Sequence, residues 1–241
     1  MHEFRKEIPT LISSKETHEA HKTLGVWKTT DGNVSEQIKV ITHISNNLAN
    51  IVATSGLYPY QADIAVRMIY TPAMTYCLPA VSIPEKALNK IQNKALESFI
   101  AAMGHNKSFP RAIALGPIEY GGMGIPHLYT EMSVSKLEYM IMHLRINSDI
   151  GKLMRINLNW IQITLGISTP IFQYKRDISD LPNRLTSVNQ FLREIAATVI
   201  IKDTYVPILE RENDRCIMDA IHDSAIKLSA NQIRHIINWR L

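Results

Sequence analysis

The sequence predicts a mainly α-helical fold with a small β element near its N-terminus. Apolar residues recur at three- and four-residue spacing over 36–52 and again over 86–103. Beyond residue 35 there is little strand-like alternation. Residues 21–32, HKTLGVWKTTDG, are the exception: a short apolar run followed by a polar turn.

The elements follow in order. Residues 1–20 are mixed and charged. Segment 22–30 fits a short strand ending at Asp31-Gly32, because glycine tolerates positive φ. Within it Leu24 and Val26 are two apart and are expected on one face, with Trp27 on the other. Gly25 leaves room beside the backbone. A helix is expected over roughly 34–55, with Ser35 as its cap. Its apolar face is Ile38, Ile41, Ile44, Leu48, Ile51 and Val52, opposite Asn46, Asn47 and Asn50. Gly56 ends it. Tyr58 and Pro59 open a second helix, about 59–75, with apolar positions Ile64, Ala65, Met68 and Ile69. Pro72 is expected to cap, bend or stop it.

The bridge YCLPAVSIP leads to the clearest helix, beginning after Pro84. Leu88, Ile91, Ala95, Leu96, Phe99 and Met103 line one side, and Gly104 suits the position just past its end. The stretch PRAIALGPIEYGGMGIPHLY reads as a turned platform rather than a helix. Its glycines, Gly121, Gly122 and Gly124 with Gly116, are expected to form a structural turn where backbones cross. Helical pattern resumes at about 131–146, with Leu137, Met140, Ile141 and Leu144 apolar. Further helices are expected at 148–165, 183–202, 205–228 and from about 229, punctuated by Pro170, Pro182 and Pro207.

Composition bounds the function. The chain has 241 residues, 46% of them hydrophobic, which suffices for a sizeable core. A formal charge of +4 is compatible with nucleic acid without demonstrating it. Cys77 and Cys216 form no metal-ligand spacing, and a reducing, intracellular compartment, nuclear or cytoplasmic, is the expectation. Neither a signal peptide nor an 18-residue apolar run is present, so no membrane partner is expected.

Candidate chemistry is sparse. Two-metal catalysis needs converging carboxylates. Asp63 stands alone; Asp177 with Asp180, and Glu210 with Asp214, read as solvated helix charge. The glycine cluster lacks the GK[ST] of a phosphate loop, since Ile125-Pro126-His127 follows it. Ser55 and Ser108 sit in no G-x-S-x-G elbow. Cys77, between Tyr76 and Leu78, reads as a buried, inert thiol. His21, His43 and His105 share no spacing. Hence no catalytic residue, metal or cofactor is expected on this chain. Lys86, Lys90 and Lys94 recur every four residues on one helix face, with Asn89 and Asn93 on an adjoining edge. Such a row suits either phosphate contact or a solvated face partly neutralised by Glu85 and Glu97.

Several segments together resemble the downstream part of non-long-terminal-repeat retrotransposon reverse transcriptases. They are KTLGVWKTTDG at 22–32, ISNNLANIV with VRMIYTPAMTYCLPAVSIP at 66–84, LNKIQNKALESFI at 88–100 and ALGPIEYGGMGIPHL at 114–128. The resemblance spans about 22–145. It implies a remnant palm edge over 1–33, a thumb-like helical bundle over 34–145 and further C-terminal helices over 146–241. It implies a primer-grip-like role for Leu24, Gly25, Val26 and Trp27. It also implies an RNA/DNA template-primer duplex as partner, alongside a palm and fingers region that this chain lacks. The family's aromatic-x-Asp-Asp motif is absent, and the sequence holds no Asp-Asp pair. The expectation is therefore a non-catalytic fragment or remnant of an RNA-directed DNA polymerase, with Mg2+ belonging only to a complete parent enzyme. The alternatives are a helical scaffold or protein-interaction domain that binds no nucleic acid, and an unrelated enzyme with a dispersed site.

Overall fold

The computed structural model describes residues 16–146, 148–167, 169–175, 178, 184–201, 228, 229, 232 and 235. A two-stranded antiparallel β element precedes a mainly α-helical bundle. Strands β1 (His21–Thr23) and β2 (Val26–Lys28) pair in the register His21↔Lys28, Lys22↔Trp27, Thr23↔Val26. Leu24 and Gly25 both have positive φ, 48° and 84°, as a two-residue hairpin turn demands. This corrects the single strand expected over 22–30. Leu24 is the exposed hairpin tip and shares no strand face with the buried Val26. The glycine supplies the second left-handed residue of the turn. Asp31-Gly32 forms the next turn, in which the Asp31 carboxylate accepts from Thr29 and from the Asn33 N–H.

Helix α1 (Ser35–Thr54) is not capped by Ser35, which is its first helical residue. Asn33 Oδ1 accepts the Ser35 N–H at 2.9 Å instead. The buried face is Gln37, Ile41, Ser45, Ala49 and Val52; Ile38, Ile44 and Leu48 flank it, and Ile51 is exposed.

Helices α2 (Pro59–Ala65) and α3 (Thr71–Thr75) run on through a wide π turn, Val66–Tyr70. Proline in an α-helix clashes with the carbonyl four residues back and cannot donate to it. The Thr71 N–H reaches back five residues to Val66 O, so the chain is already widened when Pro72 arrives. Pro72 is therefore passed through rather than ending the helix. The face is also corrected: Ala62, Val66, Tyr70 and Met74 are buried, whereas Ile64, Met68 and Ile69 are exposed.

A 3-10 turn (Leu78–Ala80) leads to α4 (Glu85–Ala102), which packs along α1. All six apolar residues expected on its inner side are buried. Gly104, with φ 83°, closes it as expected, the His105 N–H bonding Ile100 O at 3.0 Å. The platform contains one short helix that the pattern hides, α5 (Arg111–Leu115), and a 3-10 turn at Ile118–Tyr120. Helices α6 (Leu128–Ile146), α7 (Asp149–Leu165) and α8 (Arg184–Glu194) follow. Ser148 Oγ caps α7 by accepting the Gly151 N–H at 3.1 Å. The helix expected to reach 202 stops at Glu194, and Ala196 turns out of it with φ 53°. The helices expected at 205–228 and from 229 lie outside the described residues, apart from four isolated positions.

Two buried clusters meet along α6. One joins Val26, α1 to α4 and the first turns of α6, with the Tyr70 and Phe99 rings edge to face at 4.6 Å. The other joins Met140 and Leu144 to α7 and α8. Among the described residues no helix is long and apolar enough to cross a membrane.

Candidate nucleic-acid interface and the groove beside it

Helix α4 carries the lysine row. Its inner face is locked in the core, so Lys86, Lys90 and Lys94 all face solvent. Each four-residue step advances about 6 Å along the axis. Of the two carboxylates that would neutralise the row, Glu97 pairs with Arg111 at 3.4 Å, whereas Glu85 accepts from the neutral Asn89 Nδ2 at 3.1 Å and keeps its charge. Among the described residues, none of the three lysines has an ion-pair partner. Asn93 is exposed beside them. Asn89 is half-buried and also meets His127 Nε2 at 2.8 Å. Below, the buried Gln92 bonds Pro126 O at 2.6 Å and the Leu128 N–H at 3.0 Å, fixing the start of α6 against α4.

The four LGVW residues separate. Leu24 is the hairpin tip, and Tyr76 donates its hydroxyl to Leu24 O at 2.9 Å. The room expected beside Gly25 is filled by the same ring: a Cβ there would lie 3.3 Å from Tyr76 Cε1. Val26 is buried, and Trp27 is half-buried with its backbone N–H held by Gln37 Oε1 at 2.8 Å. Of the four, Trp27 lines the groove described below.

The glycines form a backbone crossing. A Cβ on Gly122 would stand 2.1 Å from Gly116 O. Gly121 and Gly124 have φ of 81° and 64°. Arg67 fastens the crossing, donating to Gly124 O at 3.2 Å and Met123 O at 2.5 Å, while its Nε grips the Asp63 carboxylate at 2.9 and 3.0 Å. Asp63 thus has a structural partner. Among the described residues no group of His, Cys, Asp and Glu could hold a metal. Cys77 is buried, and burial pushes its thiol pKa up, away from nucleophile chemistry. Asp177, Asp180, Glu210, Asp214 and Cys216 lie outside the described residues.

A groove of about 650 Å³ that no local pattern announces lies between the hairpin, residues 80–86, α6 and α8. Trp27, Lys28, Ser82, Lys86, Arg184 and Ser187 are among its lining residues. Behind this lining Lys136 is 2% exposed, its Nζ donating to Ser82 Oγ at 2.9 Å and Ser187 Oγ at 3.3 Å. Burial, with the Arg184 charge adding to it, pulls the Lys136 pKa down to about 7. A signal was present: Lys136 falls in the buried row Met132, Lys136, Met140, Leu144, every fourth residue of α6.

No family model, curated protein or solved structure matches the chain.

Proposed function

We propose that this chain is a duplex-contacting helical region of a retrotransposon-type RNA-directed DNA polymerase, carrying no catalytic Asp-Asp pair of its own. The observation that carries the reading is the lysine row of α4: three exposed ammonium groups without ion-pair partners among the described residues, on a helix anchored by a fully buried opposite face. Lysines on phosphates hold a duplex in register and read no sequence. The row therefore acts as a sequence-independent rail, and the chemistry of polymerisation resides in a palm that supplies the metal-holding carboxylates.

The reading predicts that the purified chain binds a primer–template duplex and incorporates no nucleotide when given Mg2+. Replacing Lys86, Lys90 and Lys94 by glutamine should weaken binding and leave helicity unchanged, because the two residues have similar helix propensity. Equal duplex affinity in the variant would overturn the reading.

A second reading, a protein-interaction scaffold, draws support from the exposed apolar row Tyr60, Ile64 and Met68 on the outer side of α2 and the π turn. It predicts no duplex binding at low salt.

A further inference from the structure

We propose that the groove between the hairpin, α6 and α8 binds a phosphate monoester of nucleotide size, its phosphate seated against Ser82 and Arg184 with Lys136 behind them. This site stands apart from the α4 rail. Lys90 and Lys94 do not line it, and only Lys86 touches both.

The first argument is uncompensated charge. An ammonium group taken out of water normally acquires a carboxylate, because an unpaired buried charge is costly. Lys136 is almost wholly buried, and its partners are two neutral hydroxyls. Arg184 is half-buried over the Tyr139 ring, 4.6 Å from guanidinium carbon to ring centre. Among the described residues no carboxylate pairs with either. The two cations act on each other unfavourably, and Arg184 helps to pull the Lys136 pKa down to about 7. An anion in the groove against Arg184 and Ser82, with Lys136 behind the wall, relieves both.

The second argument is hydrogen-bond direction. In its protonated form, the form an anion in the groove favours, Lys136 has donors only, so both serine oxygens then accept from it. Ser187 donates its hydroxyl hydrogen bond to the Arg184 backbone carbonyl at 2.7 Å. Ser82, exposed on the groove wall, has no described acceptor for its hydroxyl proton. The wall thus presents a hydroxyl donor backed by an ammonium, beside a guanidinium with a planar donor fork. That set matches phosphate oxygens. Lys28 and Lys86 add positive charge to the rim. Glu85 opposes them, with Oε1 bonded to Asn89, and Glu194 is held by the Tyr129 hydroxyl at 2.9 Å.

The third argument is size. About 650 Å³ lies within the range of small-molecule sites and exceeds what bare phosphate fills. Trp27, half-buried on the lining, offers a flat apolar surface to the remainder of the ligand.

The test is calorimetric titration of the full chain with adenosine monophosphate, ribose 5-phosphate and adenosine. Both phosphates should bind, with adenosine weaker by about tenfold or more, the loss expected when charge-assisted hydrogen bonds are absent. The tighter of the two phosphates tells whether a base or only a sugar occupies the space beside Trp27. K136M and R184Q should each lose a similar factor, with K90Q/K94Q as the unaffected control. Because K136M could alter packing, the Lys136 side-chain resonance in the parent protein gives a second readout: its pKa should rise when adenosine monophosphate is added. Adenosine binding as tightly as its monophosphate, no binding of either phosphate, or an unmoved Lys136 resonance would each overturn the proposal.

Discussion

Gly122→Ala should be among the most damaging single-methyl additions to this fold. The new Cβ would stand 2.1 Å from Gly116 O, 2.3 Å from its carbonyl carbon and 2.8 Å from its Cα. All three are backbone atoms, so no flexible side chain can swing away. Gly116 O also accepts the Gly124 N–H at 2.8 Å, flanked by Met123 N–H to Ile113 O at 2.9 Å and Ile125 N–H to Ala114 O at 3.1 Å. Parting the two segments stretches this set of bonds. Overpacking costs about 1–3 kcal/mol, and each lost backbone bond adds about 1 kcal/mol. A loss of roughly 2–4 kcal/mol follows, or a fall in Tm of roughly 5–15 °C for a chain of this size. Gly121→Ala is the control. It has φ 81° but open space, so only backbone strain of about 1–2 kcal/mol applies. Urea unfolding followed by far-ultraviolet circular dichroism measures both. If Gly122→Ala lost no more stability than Gly121→Ala, the crossing would not be the constraint described.

Two further outcomes are expected. Arg67→Met removes one ion pair and two carbonyl contacts at the same crossing; being partly solvent-screened, it should cost about 1.5–3 kcal/mol in urea unfolding. Lys136 makes stability pH-dependent. Between about pH 7 and 10.5 the unfolded chain holds a proton on this amine that the folded chain has released, so stability rises with pH across that window. Below about 7 both states hold the proton and the folded state bears the whole burial penalty, a difference of roughly 4–5 kcal/mol from end to end. From about pH 7 to 8.5 urea midpoints should climb in the parent and lose that climb in Lys136→Met; nearer pH 10 the Cys77 thiol and the Tyr70 phenol, both raised by burial, pull the other way in both proteins.

Helix α4 was legible because its pattern has one solution: apolar residues on one side, lysines and asparagines on the other, and a glycine at the end. The second helix had no such asymmetry. Ile64, Met68 and Ile69 compete with Ala62, Val66, Tyr70 and Met74, and hydrophobicity alone favours the wrong set. An i,i+4 row on an ordinary α-helix drifts about 40° per step. The π turn removes part of that drift and keeps the second set in line. The small Ala62 is inside because it permits close approach, a packing property that apolar counts miss. Leu24 was misread because hairpin turns seldom place a leucine at positive φ. Lys136 was missed because a lysine in an apolar row is ordinarily scored as a break in the row. Its partners, Ser82 and Ser187, lie 54 and 51 residues away, beyond the reach of any local pattern.

The central claim, that the exposed lysine row of α4 is a phosphate rail, is tested most directly by the salt dependence of duplex binding. The logarithm of the association constant for a primer–template duplex should be measured against the logarithm of salt concentration, for the parent and for K86Q/K90Q/K94Q. Each phosphate contact contributes about 0.7–0.9 to the slope, so the variant's slope should be shallower by roughly 2–3. Identical slopes and affinities in the two proteins would contradict the account and leave the row as solvated surface.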